Sequence, residues 1–167
     1  MDKKRTLLCG LAIIGVCILA VVILLTFNRT TEREATPEEI EAYAHYVVDW
    51  QSLPIAQEGM TDKEIILSLC TYSQEEVIGE NNYGTYTSEE LSKYLYNCDV
   101  ITEIAELELG ALHIAYTDKN GYLVILGYDE EGLHERVIYN PKNDTMFHDL
   151  EGTVVVWEKY TTGIRLG

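Results

Sequence analysis

Cys70 and Cys98 are the side chains best suited to covalent chemistry in this chain; the other two cysteines, Cys9 and Cys17, lie in an apolar N-terminal run. A thiolate is a nucleophile, and it forms at neutral pH only beside a base or a cation. Two thiols in an exported domain can instead pair with each other. Closing a loop of about 28 residues would contribute roughly 3–4 kcal/mol on the chain-entropy model. Both residues fall on the expected inner faces of neighbouring helices. A Cys70–Cys98 disulfide and two small buried thiols are therefore both open. Cys70 is the candidate catalytic residue, and Cys70 with Cys98 the candidate disulfide.

The segment Ile66-Leu67-Ser68-Leu69-Cys70-Thr71-Tyr72 resembles the strand around the catalytic cysteine of sortases, which are membrane-anchored and exported. That resemblance implies a Cys70 nucleophile assisted by a histidine and an arginine. The family pattern T-L-x-T-C is met by Ile66 and Leu69 at its two threonines. His45 is the upstream histidine on offer, and the next arginine after the cysteine is Arg136.

Metal ligation is the second chemistry to weigh. His113, His134 and His148 fall in expected strands, where successive side chains alternate between faces. With even-length hairpin loops, His113 and His134 point to opposite faces; a three-residue loop with a bulge would reverse this. No convergent zinc set is expected. Asp118-Lys119-Asn120-Gly121-Tyr122 looks like part of a calcium loop. In an EF-hand register, however, Tyr116 and Gly127 would hold positions one and twelve, and neither is a carboxylate. Asn120-Gly121 reads as a type I′ hairpin turn. The expectation is no metal and no cofactor.

The elements that would position these residues follow from local grammar. Thr36 with Glu39, Thr61 with Glu64, Ser73 with Glu76, and the start at Thr87-Ser88 ahead of Glu89-Glu90 all carry capping-box spacing or its near equivalent. Pro37 suits the first helical position. Helix one is expected from Pro37 to about Gln51, with Ile40, Tyr43, Ala44, Val47 and Trp50 inward. Helix two is expected from Asp62 to about Tyr72, with Ile65, Ile66, Leu69 and Cys70 inward. The Ser73 start predicts a short turn, Asn81 to Gly84 a loop, and Ser88 to about Asn97 helix three.

From Leu112 onward the period changes to two. Strands are expected over Leu112–Tyr116, Tyr122–Tyr128, Leu133–Tyr139, Thr145–His148 and Thr153–Tyr160, with turn signals between them. Val100 to Leu109 favours a further strand. Tyr122–Tyr128 is apolar on both faces and reads as central. The expected class is α+β: about three helices, then a four- to five-stranded antiparallel meander. This element order resembles the NTF2-like, cone-shaped folds, which implies a curved sheet around helices and a pocket between them.

Leu7 to Phe27 is a 21-residue run without charge, preceded by Lys3-Lys4-Arg5. As a helix it would reach about 31 Å, the thickness of a hydrocarbon core. The expectation is a short basic cytoplasmic N-terminus at 1–6, a transmembrane anchor at 7–27, a linker at 28–35, and an extracytoplasmic domain at 36–167. Residues 1–35 carry five basic and three acidic side chains of the chain's 12 and 28, which leaves 7 against 25 in the domain. Such a surface repels nucleic acid. The expected partners are the membrane and a protein, peptide or small ligand. The functional expectation is a single-pass, exported binding or interaction module, with a Cys70 enzyme as the alternative.

Overall fold

A computed structural model describes residues 30–78, 81–107 and 110–159 of the chain. The chain divides into two units: residues 1–31 with 158–167, and residues 32–157. The first lies almost wholly outside the described residues.

Nine strands form one sheet: β1 (Thr30–Glu34), β2 (Thr71–Ile78), β3 (Asn81–Thr87), β4 (Cys98–Leu107), β5 (Leu112–Asp118), β6 (Leu123–Asp129), β7 (Gly132–Asn140), β8 (Thr145–Leu150) and β9 (Thr153–Lys159). From β2 to β9 each strand lies beside its sequence neighbour, and β1 joins at the β9 edge. The described helices are two, of seven residues each: α1 (Pro37–Tyr43) and α2 (Asp62–Ser68). The expected three helices and four- to five-stranded meander are therefore corrected to a nine-stranded antiparallel sheet with two short helices. The NTF2-like element order goes with them.

The expected transmembrane helix at 7–27 lies outside the described residues. Among the described residues no helix is long and apolar enough to cross a membrane. On that finding the membrane anchor and the extracytoplasmic location are not supported.

Two of the four capping signals start α-helices. Thr36 and Glu39 form a full capping box with Pro37 in the first turn, and Thr61 and Glu64 form another. Ser88 accepts from the Leu91 N–H at 3.2 Å but starts only a 3-10 turn, Leu91–Lys93. Ser73 caps nothing; its hydroxyl donates to the Thr85 carbonyl across the β2–β3 pair. The β-formers Thr71 and Tyr72 face Thr87 and Tyr86 in that pair. Tyr72 stands opposite Tyr86, their rings edge-on at 5.4 Å. Cross-strand packing thus outweighs a cap worth about 1 kcal/mol.

Helix α1 stops at Tyr43, well short of Gln51. The Arg136 guanidinium, from β7, donates to the Tyr43 carbonyl at 2.9 Å and so satisfies an end the helix would otherwise have to extend. The chain turns, and Tyr46 and Trp50 enter the core. The expected inward face holds only in part: Trp50 is buried and Tyr43 packs against the core, but α1 buries none of its residues fully, and Ile40 and Val47 are 39% and 47% exposed. Ile40→Ser should accordingly change stability by no more than about 0.5 kcal/mol in urea denaturation; a loss of several times that would show Ile40 to be packed.

The core lies on one face of the central strands. Leu112, Ile114 and Tyr116 of β5 align there with Val124, Leu126 and Tyr128 of β6, Ile138 of β7 and Phe147 of β8. Helix α2 lies against β6 and β7 and inserts Ile65 and Ile66. Its Lys63 reaches Glu106 of β4 at 2.6 Å and the Gly110 carbonyl at 2.7 Å. The second Glu106 oxygen accepts from Tyr86 at 2.9 Å. Burial and this carboxylate push the Tyr86 hydroxyl up to about 12.

Candidate functional site

The opposite face of the central strands carries a row that runs Ala105, His113, Gly127, Glu135 across β4, β5, β6 and β7. Neighbouring strands stand about 4.8 Å apart, so His113 and Glu135 would ordinarily be separated by a side chain. Gly127 supplies none. A Cβ built there would sit 3.0–3.1 Å from the His113 ring and from the Glu135 Cβ. The imidazole therefore lies over the bare backbone, and His113 Nε2 comes within 3.5 Å of Glu135 Oε2.

His134 joins them through a bulge. The register passes from Gly127 opposite Glu135 to Tyr128 opposite Leu133, which leaves His134 with no partner on β6. An extra residue of this kind re-aims its side chain. The His113 and His134 rings lie 6.2 Å apart, and one donor atom each from His113, His134 and Glu135 fall within 4.8 Å of one another. His148 of β8 completes the group, its Nε2 2.8 Å from Glu135 Oε1. His134 Nδ1 is buried without a hydrogen bond and faces Asp129 Oδ2 at 3.8 Å. All four side chains are a fifth to a little over a quarter exposed. Burial holds the His113 imidazole below the usual histidine range, against the opposing pull of Glu135.

Even-loop parity separates His113 from His134, and the structure brings them together. One register change accounts for the difference, and a second brings Glu135 to the same face. Thr117 pairs with Leu123, so residues 118–122 form an odd-length loop in place of a two-residue Asn-Gly turn. The bulge at His134 then shifts β7 once more. Asp118 enforces the first change: its carboxylate accepts from the Asn120 and Tyr122 backbone N–H groups, each at 2.8 Å. The signal available in the sequence was the adjacent pair His134-Glu135, with Gly127 inside a strand.

The sequence-derived sulfur sites lie elsewhere. Cys70, between α2 and β2, and Cys98, at the start of β4, are both free thiols. Burial pushes the Cys70 thiol up to about 11, against a lowering hydrogen bond from Ser88. His45 packs against Tyr46 and Tyr96 with the rings tilted, and Arg136 bonds to Tyr43 and Asp149. Neither residue of the sortase resemblance is therefore placed on Cys70.

No protein-family model matches the chain, and no curated protein or solved structure is significantly similar to it.

Proposed function

We propose that the domain is a binding module, and that its binding surface is the outer face of the central sheet around His113, His134, Glu135 and His148. One observation supports this reading above the others: side chains able to ligate or hydrogen-bond converge from three strands onto the face the core does not use. Their convergence relies on two features that ordinarily weaken a sheet, a bulge and an interior glycine. Structure that costs stability is expected where a site is kept for function. The thiolate alternative has no comparable support, since burial disfavours the charged form of Cys70.

Stability tests this without knowledge of the ligand. His113→Val with Glu135→Thr replaces half-desolvated polar groups by good strand formers. The double variant should be more stable by about 0.5–2 kcal/mol in thermal or urea denaturation. A loss of similar size would show that the cluster holds the sheet together, and the proposed binding face would fall.

A further inference from the structure

We propose that His113, His134 and Glu135 bind a divalent first-row transition ion, with zinc as the defining probe. This rests on the reading of the outer face as a binding surface and names what that surface takes.

The donor set points to this class of ion. Calcium and magnesium take oxygen ligands, whereas imidazole nitrogen suits zinc, copper, nickel and iron. Two histidines with one carboxylate form a recurrent three-ligand zinc set that leaves the fourth position open. The spacing agrees. Ligands about 2.0–2.1 Å from a tetrahedral ion stand about 3.4 Å from each other, and His113 Nε2 and Glu135 Oε2 are 3.5 Å apart. The His134 donor lies within 4.8 Å of both, a gap that small side-chain rotations close.

The surroundings orient these donors as metal ligands are oriented. His148 holds the second oxygen of Glu135 at 2.8 Å, which leaves Oε2 for the ion. His134 turns its buried Nδ1 toward Asp129, which leaves Nε2. A ligating histidine whose other nitrogen faces a carboxylate, and a ligating carboxylate held by a neighbour, are the usual outer partners of such a site. A simple ion pair between His113 and Glu135 needs no second imidazole beside it. In a regular strand His134 and Glu135 would face opposite sides; the bulge alone lets adjacent residues reach one ion.

The test is titration of the full-length, metal-stripped protein with Zn²⁺ by calorimetry, with Mg²⁺ in parallel because the chain is strongly acidic. One Zn²⁺ per chain should bind with a Kd tighter than about 10 μM, and Zn²⁺ should raise the Tm where Mg²⁺ does not. His113→Ala and Glu135→Gln should each weaken binding by at least about tenfold. Gly127→Ala removes no donor but drives a methyl group into the His113 ring, and it should also weaken binding by about 10–100-fold. His45→Ala should leave both readouts unchanged. Glu135→Gln keeps side-chain shape, so it decides the matter if His113→Ala does not fold. The proposal is overturned if the wild type shows no one-to-one Zn²⁺ binding, if Glu135→Gln binds as the wild type does, or if His45→Ala weakens binding equally. Such a failure leaves the stability result for the His113/Glu135 double variant standing, so the ion and the binding face are judged separately.

Discussion

Asp118→Ala should destabilise the domain by about 3–5 kcal/mol, measured by urea denaturation at neutral pH. The Asp118 carboxylate is 1% exposed, and five donors converge on it. The Tyr46 hydroxyl donates at 2.7 Å, the Asn120 and Tyr122 backbones at 2.8 Å, and the Asn120 and Asn97 amides at 3.2 and 3.4 Å. Alanine would leave a buried tyrosine hydroxyl and two backbone N–H groups without an acceptor. Unmade buried hydrogen bonds cost about 1–3 kcal/mol each, and relaxation recovers part of that. The same residue closes the β5–β6 loop and ties it to the segment after α1. Its loss should therefore loosen both, and backbone amide exchange should rise at Asn120 and Tyr122 together.

The pH dependence follows from the same contacts. Burial pushes the Asp118 carboxyl up, but the hydrogen bonds from Tyr46, Tyr122, Asn120 and Asn97 outweigh it, and the net shift is below the usual 3.8. A depressed carboxyl stabilises the fold fully above its unfolded pKa, and the contribution disappears as pH falls through the folded value. The advantage of the wild type over Asp118→Asn should therefore be constant near neutrality and shrink below about pH 4. Glu39, held down to about 2 chiefly by Arg33, adds loss in the same acid range. An advantage that widens on acidification would show the carboxylate to be poorly solvated rather than satisfied.

Trp50→Ala should cost about 3–5 kcal/mol, as large aromatic truncations in cores do. Trp50 is fully buried, and its ring meets Tyr94 and Tyr128 edge-on at 6.3 and 6.1 Å. It joins the loop layer to the sheet: Tyr128 lies on β6, Tyr94 follows the 3-10 turn at Leu91–Lys93, and Trp50 opens another, Trp50–Ser52. A cooperative transition shifted to lower denaturant is the expected form of the result. A change below about 1 kcal/mol would mean that the cavity collapses and that Trp50 is not the anchor of this layer.

Much of the central sheet is legible in the sequence. The short apolar runs and the regularly spaced turn signals between them place β4 to β9 close to where they form, because runs this short between turns leave no room for helices. The capping boxes at Thr36 and Thr61 are local chemistry and act locally. Helix length is a different matter. The apolar spacing from Ile40 to Trp50 fits a helix, but Arg136, nearly a hundred residues away, takes the Tyr43 carbonyl and lets the chain turn. The strands β2 and β3 were hidden for a related reason. Ser73-Gln74-Glu75-Glu76 reads as a cap until its partner strand is in place, and Asn81-Asn82-Tyr83-Gly84 reads as a loop until Tyr86 meets Tyr72.

The residues of the candidate site were all visible as types, yet their meeting was not. A strand alternates strictly, so one extra residue reverses every face beyond it. The sequence by itself determined the alternation of the outer strands of the meander, the two helix caps and the acidic balance, because each depends on composition or on neighbours within a few residues. Only the tertiary structure decided where the alternation slips: at the Asp118 loop, whose length is held by a buried carboxylate, and at the His134 bulge, whose place is set by pairing with β6. Those two slips bring His113, His134 and Glu135 onto one face, because register is a property of paired strands and not of either strand alone.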